Sequence, residues 1–223
     1  IEQCKESVWK YKGMWEDFSH TVGFWADMKN PYVTYHNDYI ESEWWALKEI
    51  WKKGLLYEGH KIVPYCPRCG TPLSSHEVAQ GYKDVKERSA VVRFKVKGED
   101  AYILAWTTTP WTLPSNVALC VNPDEDYVKV TSKGYTYYMA AALVDTVLGE
   151  GAEILEHYQG KDLEFKEYEP LFPYAEKRIG NKKAYYVVCD TYVTLTDGTG
   201  VVHIAPAFGE DDANVGRKYD LPF

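Results

Sequence analysis

Two prolines, Pro110 and Pro114, punctuate the run Trp106-Thr107-Thr108-Thr109-Pro110-Trp111-Thr112-Leu113-Pro114-Ser115-Asn116 and fix what it can become. Each removes a backbone donor and pushes the residue before it towards extended geometry, so the segment leaves a strand and continues as a rigid loop. Four threonines and one carboxamide then stand where no sheet pairing satisfies them. Either they bond back to their own backbone, as at many Thr-rich strand ends, or they line a polar surface. The residues alone leave both readings open.

A second stretch, Gly198-Thr199-Gly200-Val201-Val202-His203-Ile204-Ala205-Pro206-Ala207-Phe208-Gly209-Glu210-Asp211-Asp212, delivers a histidine on a short apolar strand and then an acidic triplet after a glycine. Acidic residues there suit a solvated turn or a helix N-terminus, where they cap free N–H groups and meet the positive end of the dipole. A lone strand histidine has an equally plain structural reading.

Composition narrows the partners. The 223 residues are 45% hydrophobic and 15% aromatic, enough for one or two domains with a core. A net charge of -8 argues against general affinity for phosphate backbones, so any RNA contact must use a local basic patch or an RNA end. No apolar run is long enough to span a bilayer and no charged-then-apolar leader is visible, which predicts no membrane partner. Five cysteines, odd in number and mostly isolated, argue against a disulfide scaffold and suit a reducing compartment.

Along the chain, helical spacing predicts a helix over Glu2 to Trp15 and another over Asp38 to Lys53. In the second, Asp38 with Glu41 reads as a capping box, and the stripe Ile40, Trp44, Leu47, Trp51 reads as core. The period then changes to two. Strands are predicted at Val92 to Val96, Tyr102 to Trp106, Val117 to Val121, Tyr127 to Thr131, Tyr135 to Met139, Tyr185 to Cys189 and Val201 to Ile204. Ser132-Lys133-Gly134 is a hairpin loop, and a helix over Ala140 to Leu148 interrupts the strands. The expected class is α+β, mainly β, with a stem over 1–82 and a β-rich body over 83–223.

Cys66-Pro67-Arg68-Cys69-Gly70 has the spacing of half a zinc knuckle. Cys120 and Cys189 read as buried small hydrophobes, and His76 is a candidate third ligand, so the possible structural zinc site is partial. A redox thiol pair is the competing reading, without the βαβ surroundings it would need.

Segments 106–116 and 198–212 together look like the two signature segments of the editing domain of the isoleucyl-tRNA synthetases. Valyl and leucyl relatives typically carry an arginine after paired threonines, whereas here Thr109 and Pro110 follow. The resemblance covers nearly the whole chain. Upstream, Trp25-Ala26-Asp27-Met28, Pro31-Tyr32-Val33-Thr34-Tyr35, Tyr39-Ile40-Glu41-Ser42-Glu43-Trp44-Trp45 and Lys53-Gly54-Leu55-Leu56-Tyr57 resemble the part of the Rossmann-type catalytic core that leads into the editing insertion. Leu73-Ser74-Ser75-His76-Glu77-Val78 does so too, in wording like the eukaryote-like branch of the family.

The resemblance implies a β-barrel-like editing body with peripheral helices that hydrolyses valine wrongly esterified to tRNA(Ile). Valine and isoleucine differ by one methylene, worth about 1 to 3 kcal/mol of binding, a general figure for which this enzyme class is itself the standard case. A second pocket that admits valine and sterically excludes isoleucine removes the error. On this resemblance Asp212 meets the substrate α-ammonium, while Thr107, Thr108, Thr109 and Thr112 hold the ester, the terminal ribose and the attacking water. Trp111 and Asn116 add substrate contacts, and His203 limits the pocket or orients substrate. No Ser-His-Asp order or cysteine nucleophile is evident, so water attacks directly. Editing needs no cofactor, whereas the parent synthetase uses ATP and Mg. The two ATP-handling signatures of a complete synthetase are missing from this sequence, and its ends read as those of an excised piece, so no aminoacylation is expected of it. The expected partner is the acceptor end of tRNA(Ile) carrying valine, in the cytoplasm, with a monomeric parent. Two alternatives stay open: a zinc-stabilised RNA-binding module without catalysis, and the editing domain of a valyl- or leucyl-tRNA synthetase.

Overall fold

The computed structural model describes residues 1–174 and 176–223, which divide into two compact units, Ile1–His60 and Lys61–Phe223. The sequence had placed the change from stem to body at 82/83, some twenty residues later.

The first unit is helical. The predicted helix over Glu2 to Trp15 is two, α1 (Glu2–Lys10) and α2 (Lys12–Thr21), and α3 covers Asn37–Lys52. The expected capping box of α3 does not form: His36 is the N-cap without a side-chain bond, and Asp38 lies inside the first turn, facing the helix dipole. The expected core stripe is also not core. Trp44 is 68% and Trp51 65% exposed, and with Trp45, Leu47 and Leu56 they line an open groove. Helical spacing identifies an apolar face that needs cover, but not the element that covers it.

The second unit opens with a two-strand ribbon, β1 (Tyr65–Cys66) and β2 (Thr71–Pro72), followed by the short helix α4 (Ser75–Ala79). Ser74 and Glu77 make a true capping box on α4. The main sheet has eight strands: β3 (Ala90–Lys95), β4 (Tyr102–Thr107), β5 (Ala118–Val121), β6 (Asp126–Ser132), β7 (Tyr135–Ala140), β8 (Glu153–Gln159), β9 (Tyr186–Cys189) and β10 (Val201–Ile204). All seven predicted strands are present. Lys133 (φ 51°) and Gly134 (φ 81°) form the two-residue hairpin turn between β6 and β7. The predicted helix after β7 is a 3₁₀ turn, Ala141–Leu143, running into α5 (Val144–Leu148).

β4 organises the sheet. β3 pairs with it antiparallel over its whole length, so its remaining edge is divided between β7 at Tyr102–Ile103 and β10 at Trp106. Beyond β7 lie β6 and β8; beyond β10 lie β5 and β9. The sheet curls because residues 165–169 close the gap between β9 and β3. Phe165 N–H donates to Val187 O of β9 and Val187 N–H donates back to Lys166 O, while Glu169 N–H reaches Lys95 O and Lys97 N–H reaches Glu167 O on the other side. Hydrogen bonds thus run round a barrel of β3, β4, β10, β5, β9 and this segment, leaving no open edge there. The expected class, mainly β and barrel-like with peripheral helices, is borne out.

The interior is filled by Phe94, Leu119, Val121, Tyr127, Val130, Tyr138, Tyr168 and Val187, all nearly inaccessible. On the opposite face of β5 and β9, Ala118, Cys120, Tyr186 and Val188 meet Val215 of the last helix, α6 (Glu210–Lys218). Burial on both faces explains why β5 reads Ala-Leu-Cys-Val without alternation. Cys120 and Cys189 are buried, as expected, and burial raises both thiol pKa values, that of Cys189 to about 11.

Candidate active site

The parallel contact between β4 and β10, with Val202 opposite Trp106, brings together the two stretches singled out from the sequence. Just beyond it β4 ends at Thr107, and Pro110 starts a 3₁₀ turn, Pro110–Ser115, where its missing N–H costs nothing. The turn folds Thr112 back over the strand end. Thr109 N–H donates to Thr107 Oγ1 (3.0 Å), and Thr112 Oγ1 donates to Thr109 O (2.8 Å). Both readings left open by the sequence are therefore realised, since these threonines bond their own backbone and also line a recess.

His203, on β10, is 5% exposed, and its Nε2 lies 3.0 Å from Thr112 Oγ1. The single proton of that hydroxyl is already directed at Thr109 O, so the imidazole must be the donor and carries its proton on Nε2. Nδ1 is then a bare lone pair, buried and without a hydrogen-bond partner among the described residues. Burial pushes the imidazole pKa down to about 4, so His203 is neutral near pH 7.

Asp212 sits in the first turn of α6, whose N-cap is Gly209. Its Oδ2 accepts from Ala205 N–H at 3.0 Å, tying the helix start to the end of β10. A β-carbon at 209 would lie 3.0 Å from Asp212 Cγ, so the glycine leaves the room this carboxylate occupies. Asp212 is half-buried and makes no ion pair among the described residues. Desolvation raises its pKa, Asp211 adds to the rise, and the Ala205 bond opposes it.

Thr107, Thr108, Thr109, Thr112, His203 and Asp212 all line one recess of about 250 Å³. Trp106, Val202 and Phe208 complete its walls; sequence reasoning gave them no role, although each lies within the two stretches. A second recess of about 230 Å³ shares Trp106 and Val202 and continues past Thr194, Thr196 and Thr199. Two expected contacts do not reach the first recess. Trp111 is 71% exposed on the outer side of the turn. Asn116 is buried, donating to Ala118 O (2.7 Å) and accepting from Tyr168 O–H (2.6 Å), so its amide anchors the loop to the core.

The Cys66 and Cys69 turn is a separate feature. Cys69 N–H donates to Cys66 Sγ (3.4 Å), and backbone donation of this kind lowers the Cys66 pKa, which favours a thiolate. His76 bonds Gln80 instead (2.8 Å), and no group of three potential ligands occurs among the described residues. The donor set fits half of a tetrahedral zinc site.

Residues 1–197 match a model of class I tRNA synthetases (I, L, M and V), and the chain belongs to that family. Within it, the chain is 62% identical over its whole length to the isoleucine–tRNA ligase of Clostridium acetobutylicum, 51% to that of Bacillus thuringiensis and, over 99% of its length, 49% to that of Picrophilus torridus. The isoleucyl likeness read from the sequence is borne out by these relatives. The chain spans 21% of their length. Among solved structures, one described as GlLeuRS-CP1 aligns at 17% identity with a TM-score of 0.48, covering 60% of this chain and 65% of that one. The Plasmodium knowlesi cytosolic leucyl-tRNA synthetase editing domain aligns at 14% and 0.46, covering 58% and 63%. No helix among the described residues is long and apolar enough to cross a membrane.

Proposed function

We propose that this chain hydrolyses valyl-tRNA(Ile), the mischarged product of an isoleucine-tRNA ligase of which it is the editing part. The observation that carries the reading is Asp212, a half-buried carboxylate beside the recess with no cationic partner among the described residues. Such a charge is costly unless a ligand supplies the cation, and an aminoacyl ester brings an α-ammonium. The threonine-lined recess takes the aminoacyl group, and the recess beyond Trp106 takes the terminal nucleoside to which it is esterified.

The chemistry needs no covalent enzyme intermediate. Water attacks the ester carbonyl carbon, the carbonyl–ribose oxygen bond breaks, the ribose hydroxyl leaves with a proton, and free valine is released. Asp212 holds the amino end, and Thr108 and Thr109 orient ester and water. His203, neutral and hydrogen-bonded to Thr112, forms a wall that limits side-chain size. One histidine and one carboxylate are too few to hold a catalytic zinc with an open position.

In the longer protein, ATP and Mg would serve aminoacylation elsewhere, Cys66 and Cys69 would give two thiolates to a structural zinc, and the enzyme would act as a cytoplasmic monomer. We place the working boundary of the editing body at residue 83. The deciding experiment compares deacylation of valyl-tRNA(Ile), isoleucyl-tRNA(Ile) and threonyl-tRNA(Val) by this chain. Turnover of the first with sparing of the second is expected. Preference for the threonyl ester would mark a valyl-type domain, and stoichiometric RNA binding without turnover would mark a binding module.

A further inference from the structure

β3 and β4 share a face that starts at the recess, on which Leu104 is buried while Val91 and Arg93 are exposed. Val91 lies opposite Trp106, Arg93 opposite Leu104 and Lys95 opposite Tyr102, so these side chains project to one side of the sheet. Tyr102 is in turn opposite Tyr137 on β7, extending the row across a third strand. At its centre the Arg93 guanidinium lies 4.8 Å from the Tyr135 ring centroid and 5.4 Å from that of Tyr102. Bonding to Tyr137 and Tyr135 favours its charged form further.

Arg93 is exposed and has no carboxylate partner among the described residues, whereas Lys95 on the same strand and Lys97 just beyond it pair with Asp100 and Glu167. A guanidinium has five N–H donors in a rigid plane. The Tyr135 and Tyr102 rings flank that plane, the Lys95 ammonium also lies 4.8 Å from the Tyr102 centroid, and bonds to Tyr135 and Tyr137 leave some of the guanidinium donors unused. Trp106, which walls the recess, is two residues from Leu104, so Arg93 stands about 7 Å along the strand from the recess mouth.

We propose that Arg93, with the Tyr102 and Tyr135 rings, is a docking site for the phosphate and unpaired base next to the aminoacylated nucleotide of the RNA. The proposal rests on the editing reading for its choice of RNA. In a chain of net charge -8, a preorganised arginine answers the need for a local cation, and aromatic rings accept bases irrespective of sequence.

The test is fluorescence anisotropy with a labelled seven-nucleotide single-stranded RNA ending in CCA and carrying no amino acid. It is titrated into the whole chain, into Arg93→Gln and Arg93→Lys, and into Lys161→Gln as a control for net charge. Arg93→Gln should weaken binding about tenfold or more and make the salt dependence shallower by nearly one phosphate contact. Arg93→Lys should keep the salt slope with an intermediate affinity, and Lys161→Gln should bind as wild type. Melting temperatures of all four proteins report folding. Equal affinity and salt slope for wild type and Arg93→Gln, or no saturable binding by wild type, would overturn the proposal. Arg93-dependent binding beside an absence of valyl-ester hydrolysis supports the docking site and rejects the hydrolytic reading alone.

Discussion

Asp212→Asn separates what the carboxylate does for the fold from what it does for a substrate. The asparagine carbonyl can keep the bond from Ala205 N–H, which Asp212 Oδ2 now accepts at 3.0 Å, so the start of α6 stays tied to β10. What is lost is the charge facing the recess, and the new NH₂ presents donors where an ammonium would sit. A hydrogen bond to a charged group is worth about 1.5 to 3 kcal/mol, so kcat/KM for valyl-tRNA(Ile) should fall about 10- to 150-fold. Stability should move the other way. Burial raises the Asp212 pKa, so ionisation opposes folding above that pKa, and the opposition is relieved as pH falls through it. At pH 7 the neutral variant should therefore melt at or above the wild-type temperature. Asp212→Ala should lose activity too but also cost roughly 1 kcal/mol, because it leaves Ala205 N–H unpaired. The assays are deacylation of valyl-tRNA(Ile) under kcat/KM conditions and a thermal melt of each protein. An Asp212→Asn variant that hydrolyses the ester within twofold of wild type, or that melts far below it, would refute the assignment.

Thr109→Arg should fill the recess and abolish deacylation, whereas Thr108→Ala should give a graded loss of rate; normal hydrolysis by the arginine variant would remove these threonines from the substrate path. His203 has an ordinary pKa of 6.5 and about 4 when folded, so neutral His203 favours folding above pH 6.5, and roughly 3 kcal/mol is lost by about pH 4. Urea unfolding from pH 7 to 4 should show that loss in wild type and not in His203→Gln, while His203→Ala should raise isoleucyl-tRNA hydrolysis relative to valyl. Chelation should leave hydrolysis intact; loss of activity restored by added zinc would establish a metal-assisted reaction.

The strands that build the barrel were legible because alternation is a local property. Val92, Phe94 and Val96 face inward and Arg93 and Lys95 outward as the period demanded. β8 escaped because Glu153-Ile154-Leu155-Glu156-His157 is exposed on both faces, an edge strand held by backbone pairing to β6 rather than by an apolar side. The groove of α3 shows the converse, a strong apolar period with no cover in its own unit. For the site, composition showed which segments were unusual, but only the likeness to a family placed them in one pocket. Nothing local in Trp106 announces a partner at Val202. The same limit misplaced Asn116, whose amide is taken by Tyr168, some fifty residues ahead in the chain.

The bond between Thr112 and His203 joins residues 91 positions apart. Closing so long a loop carries a large entropic cost that no nearby contact offsets, so this bond forms only with the β4–β10 pairing that surrounds it. A nascent or partly unfolded chain in which β10 has not yet docked has threonines but no recess. On the proposed function, ester hydrolysis would be a stringent reporter of the finished barrel, and a misfolded population would appear as a lower fraction of active molecules, each turning over at the normal rate.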